Sequence, residues 1–236
     1  MDAAITREVA CRRFKNGVMA PFADEVAVEI RVRLRLEGHG ERELFSAPID
    51  PEGLAIGHAA LDMLPPGLVP VARGSEGLSF DLGVAPDARP PADPALPGPI
   101  AAPRLLGLVT RFIGAPGLWD DTGCFHRAGL YDPRRDDFLV RAEDIGRHNC
   151  LDRLAGFGVR QGVVLPELVL FLSCRVTASM MGKALRAGFR MVVSRSAVTG
   201  AAVDAAAAAD VTLVGFARDA ESRFTVFTDA AGRVAA

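Results

Sequence analysis

Two short apolar runs, Leu168 to Leu172 and Met191 to Val193, constrain the fold more than anything else in this sequence. Each is almost wholly hydrophobic, as strands buried on both faces are, and each leads through polar residues into a helical stretch. That order predicts an α/β architecture with a mainly parallel sheet covered by helices. The helices fall roughly at Asp144 to Phe157, Ser179 to Ala187 and Ala201 to Ala209, and final strands lie near Val211 to Phe216 and Arg223 to Phe227. In such sheets ligands settle where strand ends meet helix N-termini, because free backbone N–H groups there favour anions. Ser173 to Thr177 and Ser194 to Thr199 occupy two such places.

The first third reads differently. From Val26 to Leu36 apolar and polar residues alternate, the pattern of a half-buried strand. Glu37 to Gly40 turns the chain into a second strand ending near Pro48, Leu54, Gly57, Leu61 and Leu64 share a helical face, and short strands follow near Leu68 to Ala72 and Leu78 to Val84. Seven prolines between Ala85 and Pro103 exclude helix interiors and sheet centres, so that stretch reads as an extended linker. The division is a β-rich N-terminal domain over 1–84, a linker over 85–103 and an α/β domain over 104–236. The last opens on a helix carrying Leu105, Leu108, Val109, Phe112 and Ile113 on one face.

Half of the 236 residues are hydrophobic, enough for a packed core, and the net charge of −2 gives no global basic field. Nucleic acid is therefore not an expected partner, and any anion recognition is local. Met1 to Asn16 lacks an apolar h-region, and the longest apolar stretch, Val163 to Cys174, is interrupted by Pro166 and Glu167. These features predict a cytoplasmic protein with no membrane partner. Four cysteines, Cys11, Cys124, Cys150 and Cys174, are too sparse for a disulfide framework and are expected reduced. Cys11 falls near a terminus read as mobile.

Four constellations carry possible chemistry. DTGCFH, Asp121 to His126, offers Thr122, Gly123, Cys124 and His126 in a loop entering a strand. EDIGRHNC, Glu143 to Cys150, reads as two capping acids followed by Gly146 and then Arg147, His148 and Asn149 on a first helical turn. An arginine at the positive end of a helix makes structural sense only beside an acid or an anion. LSCRVTAS, Leu172 to Ser179, and SRSAVT, Ser194 to Thr199, each set an arginine among hydroxyls after a buried strand, a combination suited to phosphate. Capping accounts for Ser179 or Thr199 singly; the joint occurrence favours a binding site. No GxxxxGK[ST] loop is present, and the H-x-E and P-C-x-x-C signature of zinc deaminases is missing.

DTGCFHRAGLYD, VRAEDIGRHNCLDRLAG, LSCRVTASMMGKALRAG, VVSRSAVT and TLVGFAR, with DEVAVEIRVRLRLEG and APIDPEGLAIGHAALDML before them, resemble the ordered motifs of the formate dehydrogenase accessory sulfurtransferases, the FdhD/NarQ family. The resemblance implies a cytidine-deaminase-like C-terminal α/β domain, a smaller β-rich N-terminal domain and a homodimer. It also implies that sulfur passes from a cysteine desulfurase to a molybdenum bis(pterin guanine dinucleotide) cofactor destined for the formate dehydrogenase catalytic subunit. On the same resemblance a GDP-like nucleotide is expected to substitute for that cofactor. Carried over onto this sequence, the cofactor-binding positions are Thr122, Gly123, His126, Gly146, Arg147, His148, Asn149, Ser173, Arg175, Ser194, Ser196, Thr199, Phe216 and Arg218.

Two departures accompany the resemblance. The family's CxxC sulfur carrier has no counterpart, because no cysteine occurs from Gly83 to Gly123, and the segment Phe216 to Arg223 is longer and more acidic than the family's pattern. Cys124, Cys150 and Cys174 instead stand inside the motifs, at positions where the family has small residues. These three are the candidate catalytic thiols, with Cys124 preferred because Gly123 gives it room and His126, two residues on along a strand, shares its face. Together with His126 and His148 they also form a candidate metal set, in a metal-dependent enzyme or a cofactor-binding chaperone that transfers no sulfur. Cysteine serving only as a small apolar core residue is the competing explanation.

Overall fold

The computed structural model describes residues 4–118 and 122–236. The chain opens on a hairpin of β1 (Thr6–Lys15) and β2 (Val18–Ala27), which form a two-stranded sheet of their own. Asn16 and Gly17 join them, both at positive φ (53° and 82°), the backbone that a two-residue hairpin turn demands. Cys11 is thus an exposed strand residue opposite Phe22, not part of an unstructured terminus. The alternation from Val26 to Leu36 also proves to be two strands. Ala27 ends β2, Val28 N–H donates to Ile5 O at 2.8 Å, and a new strand, β3, runs Ile30–Leu36.

From Ile30 the expected pattern holds, with Val32, Leu34 and Leu36 buried and the arginines between them exposed. β4 (Gly40–Ser46), β5 (Leu68–Glu76) and β6 (Ser79–Pro86) complete a four-stranded sheet in the order β4-β3-β6-β5. Helix α1 (Pro51–His58), extended by a π-helical turn over Ala59–Met63, covers its inner face through Leu54, Ile56 and Ala59. Pro51 suits a first helical turn, and Asp50 caps it by accepting from Gly53 N–H at 3.1 Å.

The proline-rich stretch is extended but strapped down. Asp93 N–H donates to Glu167 at 3.0 Å, and Arg190 donates to the Asp93 and Leu96 carbonyls at 2.6 and 2.8 Å. It ends in β7 (Ile100–Ala101), paired with β14 (Val234–Ala235), and in helix α2 (Ala102–Ile113), whose first turn accommodates Pro103.

The remaining elements are β8 (His126–Asp132), β9 (Asp137–Asp144), α3 (Arg147–Gln161), β10 (Val169–Leu172), α4 (Ala178–Arg186), β11 (Met191–Ser194), α5 (Gly200–Ala208), β12 (Thr212–Arg218) and β13 (Arg223–Thr228). Six strands pair in the order β13-β12-β11-β10-β8-β9. Only β10, β11 and β12 run parallel, so the expectation of a mainly parallel sheet is corrected to a mixed one. The reason is connection length: β8–β9 and β12–β13 are joined by short turns, which permit only antiparallel pairing. Helices α3, α4 and α5 cover one face of this sheet and α2 the other, where Phe112, Tyr131, Phe138 and Phe171 cluster. Helix α3 begins at Arg147, three residues later than expected, because Glu143 and Asp144 finish β9.

Helices α1 and α3 meet backbone to backbone. A Cβ on Gly57 would lie 1.7 Å from the Asp152 carbonyl oxygen, and one on Gly156 would lie 2.0 Å from the Gly53 oxygen. Only glycine permits that approach. Asp144, fully buried, pairs with Arg153, which also donates to the Ala47 and Asp50 carbonyls at 3.0 Å each, so the same region is tied by charge. Among the described residues, no helix is long and apolar enough to cross a membrane.

Candidate functional site

The carboxyl ends of the three parallel strands lie side by side, and each delivers an arginine. Ser173, Cys174 and Arg175 follow β10, Arg195 and Ser196 follow β11, and Arg218 ends β12. Backbone bonds hold the loops in register: Val176 N–H donates to Ala197 O at 3.0 Å, Thr199 N–H to Val176 O at 3.0 Å and Phe216 N–H to Ser196 O at 2.9 Å. Ser194 Oγ donates to Cys174 O at 2.7 Å and accepts from Ser196 N–H at 3.0 Å. Phe216 sits at φ 50°, an uncommon left-handed conformation that marks the bulge at the end of β12.

These ends enclose an open cleft of about 410 Å³ lined by His126, Ser173, Cys174, Arg175, Arg195, Ser196, Arg218 and Glu221. Its electrostatics favour an anion. Three guanidinium groups face one carboxylate, and Glu221 is already held by Arg218 at 2.7 Å and Arg223 at 2.5 Å. Burial, reinforced by Arg147 and Arg175, depresses the His126 pKa against a weaker pull from Asp144, so the imidazole is neutral at neutral pH. His126 Nδ1 and Arg147 Nε are both buried with no hydrogen-bond partner among the described residues. Unpaired buried polar atoms beside a cleft are the groups a polar ligand would satisfy. A slightly larger concavity, about 460 Å³, lies on the outer face of the four-stranded sheet, but Arg33 and Arg35 there are already paired with Glu43 and Asp81. We therefore assign the site to the smaller, chemically unsatisfied cleft.

Several residues singled out in the sequence lie elsewhere. Asp121 falls outside the described residues. Thr122, Gly123 and Cys124 form a tight turn, with Thr122 Oγ1 accepting from Cys124 N–H at 3.2 Å and Gly123 at φ 66°. Because β8 begins only at His126, Cys124 lies before the strand and the alternation of a strand does not put it on the face of His126. The depressed His126 pKa also removes the positive neighbour expected for that thiol. Cys124 is exposed, whereas Cys150 and Cys174 are buried. Burial, with Asp144 and Cys174 nearby, pushes the Cys150 thiol well up, and burial raises Cys174 to about 11.

Glu143 and Asp144 are not the capping acids expected. Glu143 pairs with buried Arg127 at 2.9 Å, and Asp144 with Arg153, while the position before α3 is Gly146. Gly146 N–H donates to Asp144 at 2.9 Å, and Asn149 Nδ2 donates to Asp144 and to Phe45 O at 2.8 and 2.7 Å. Asn149 and Ser194 therefore act as internal struts. His148 Nε2 bonds Ser179 Oγ at 3.0 Å, and its pKa is lowered by burial and by Arg147. Thr199 caps α5, its hydroxyl accepting from Ala202 N–H at 3.4 Å.

The proposed metal set does not assemble: among the described residues no three of Cys124, His126, His148, Cys150 and Cys174 bring ligand atoms within 4.8 Å of one another. His58, Asp62 and Asp152 do, but Lys183 Nζ lies 2.7 Å from Asp62 and 2.6 Å from Asp152, supplying the cation itself. Arg195 and Glu221 were missed as individual site residues. The repeated Ser-x-Arg and Ser-Arg-Ser pattern after two buried strands carried the signal for Arg195, and the acidic character of the segment Phe216 to Arg223 carried it for Glu221.

Fold and cleft together define an α/β protein with an arginine-rich cleft at the carboxyl ends of its parallel strands. Residues 73–235 match the FdhD/NarQ family, and the chain belongs to it. It is 35% identical over 116 residues to the sulfur carrier protein FdhD of Staphylococcus aureus strain MRSA252, an alignment covering 49% of this chain and 43% of that relative. The FdhD of strain JH9 is 34% identical over the same length. The chain thus aligns with less than half the length of these relatives. A crystal structure from Desulfotalea psychrophila, described as a formate dehydrogenase accessory protein, superposes with a TM-score of 0.80 at 20% identity, covering 98% of this chain and all of that one. That likeness concerns the fold.

Proposed function

We infer that this chain is an accessory factor for formate dehydrogenase maturation that holds the guanine dinucleotide part of a molybdenum bis(pterin guanine dinucleotide) cofactor in the cleft. The observation that carries this reading is the convergence of Arg175, Arg195 and Arg218 with Ser173 and Ser196 in one cavity. The donor set fits the group: guanidinium forks and hydroxyls match phosphate oxygens, and His126 Nδ1 and Arg147 Nε supply unsatisfied polar atoms beside them. The volume lies within the range of small-molecule sites. Family membership and the names of the Staphylococcus relatives support the accessory role.

In this reading the cleft residues bind and orient, and the buried, high-pKa thiols of Cys150 and Cys174 stay protonated and inert. Any sulfur received from a cysteine desulfurase would be carried on Cys124, the exposed thiol near the cleft's His126 strand. The partner taking the loaded cofactor is the formate dehydrogenase catalytic subunit, in the cytoplasm. The six-stranded unit is assigned to the cytidine-deaminase-like class, with 1–84 as the smaller β-rich domain, 85–103 as the linker and 104–236 as the site-bearing domain.

Calorimetric titration with GDP tests the reading. The parent chain should bind saturably, and Arg175→Ala should lose about 1.5–3 kcal/mol, roughly ten- to hundredfold in affinity, for one charge-assisted phosphate contact. An unchanged dissociation constant in that variant would remove Arg175 from the site.

A further inference from the structure

The stretch from Phe216 to Arg223 departs from the family's pattern by being longer and more acidic, and the fold shows where its acid goes. Arg218 ends β12, Arg223 opens β13, and the two are cross-strand partners at the close of that ladder. A 3-10 turn over Asp219–Glu221 joins them, and Ser222, at φ 48°, brings the chain back. Like charges set directly across two strands are unfavourable unless a counter-ion comes between them. Here that counter-ion is Glu221. One carboxylate oxygen accepts from Arg218 Nη1 at 2.7 Å and the other from Arg223 Nε at 2.5 Å, so a single anion bridges two guanidinium groups.

Both guanidinium groups have a second anchor. Arg218 Cζ lies 5.8 Å and Arg223 Cζ 5.9 Å from the centroid of the Phe216 ring, within cation–π range of one aromatic side chain. Withdrawing the carboxylate would therefore leave a paired cationic site rather than two loose side chains. That site adjoins the cleft, since Arg218 and Glu221 line it together with Arg175 and Arg195.

We propose that Glu221 is an internal competitor for the anionic ligand of the cleft and so determines its specificity: the carboxylate occupies the place of one phosphate group and is displaced when a diphosphate binds. Tethering on so short a loop gives the carboxylate an effective concentration of about millimolar. An anion that makes a single contact at micromolar concentration loses that contest. A diphosphate held at the same time by Arg175 and Arg195 wins it, because its several charge-assisted bonds outweigh two exposed ion pairs, each weak in water. The acid thus narrows the choice of the cleft to multiply charged phosphates, and its displacement frees Arg223 as a fourth guanidinium for the ligand. The inference rests on the cleft being the anion site described above.

Calorimetric titration of the full chain and of its Glu221→Gln variant with GDP, and separately with inorganic pyrophosphate, tests it. The variant should bind both about three- to thirtyfold more tightly than the parent, the worth of two exposed ion pairs no longer broken. Adding Arg223→Ala to Glu221→Gln should cancel the gain. Glu43→Gln, which removes an exposed acid on the four-stranded sheet, controls for net charge and should bind as the parent does. All three positions are exposed, and unchanged thermal unfolding would show that the variants are folded. Equal affinities of parent and Glu221→Gln overturn the proposal, as does weaker binding in that variant, a gain that survives Arg223→Ala, an equal gain in Glu43→Gln, or no binding of either ligand by either protein. GDP bound equally by parent and variant would leave the cofactor reading standing and this one refuted. Pyrophosphate bound more tightly by the variant, with GDP bound by neither, would support the competitor and refute the dinucleotide reading.

Discussion

Replacing Gly57 with alanine places a methyl group where α1 and α3 touch. The new Cβ would lie 1.7 Å from the Asp152 carbonyl oxygen and 2.7 Å from the Gly156 nitrogen. An ordinary carbon–oxygen contact is about 3.3 Å or more, so the helices must part by roughly 1.5 Å. The atoms it would meet are backbone, and no side chain can swing aside to relieve the overlap. Overpacking of this kind costs about 1–3 kcal/mol, occasionally more, and the upper end applies because Asp152 is also held by Lys183 and His58. For a domain of this size each kcal/mol moves Tm by about 2–4 °C, so a loss of roughly 6–12 °C is expected by differential scanning calorimetry. Gly107→Ala is the control: Gly107 is exposed in α2 with nothing within 4 Å of its Cβ position, and alanine there should stabilise by about 0.5–1 kcal/mol. If Gly57→Ala melts with the parent, the helix contact described above is wrong.

His126 and His148 are both held neutral in the fold, chiefly by burial, while the unfolded chain takes up protons on them below about pH 6.5. Their contribution is therefore present above that pH and is lost as pH falls through the lower folded-state values. Urea denaturation should show stability declining toward about pH 5, and a His126→Gln, His148→Gln double variant should decline less steeply; an identical slope would refute the assignment. For sulfur, incubation with a cysteine desulfurase and labelled cysteine should place persulfide on Cys124. Label kept in Cys124→Ser, or lost in Cys150→Ser and Cys174→Ser instead, would contradict the burial argument.

Legibility in the sequence followed burial. Val169 to Leu172 and Met191 to Val193 were readable as central strands because both their faces are covered, and α2 was readable because Leu105, Leu108, Val109 and Phe112 all turn inward. Strand direction was not legible, since β8 pairs antiparallel with β10 through topology rather than local composition. The hairpin escaped because its alternation reflects no buried face, and the end of β2 runs on into β3 without a break in the hydrophobic period. At the cleft, Ser-Arg-Ser announced a polar loop. Only the pleat decided that Ser194 points inward as a strut while Arg195 lines the cavity. The cysteines misled for a related reason: Cys150 and Cys174 lie in the same core cluster as their apolar neighbours, so their chemistry is masked by packing.

The central claim is the identity of the cleft, and a crystal structure of the chain with GDP tests it most directly. The diphosphate should be bonded by Arg175 and Arg195, with Ser196 at hydrogen-bond distance and Arg218 drawn from Glu221 toward the phosphate. A nucleotide seated elsewhere, or a cleft without nucleotide at saturating GDP, would contradict it.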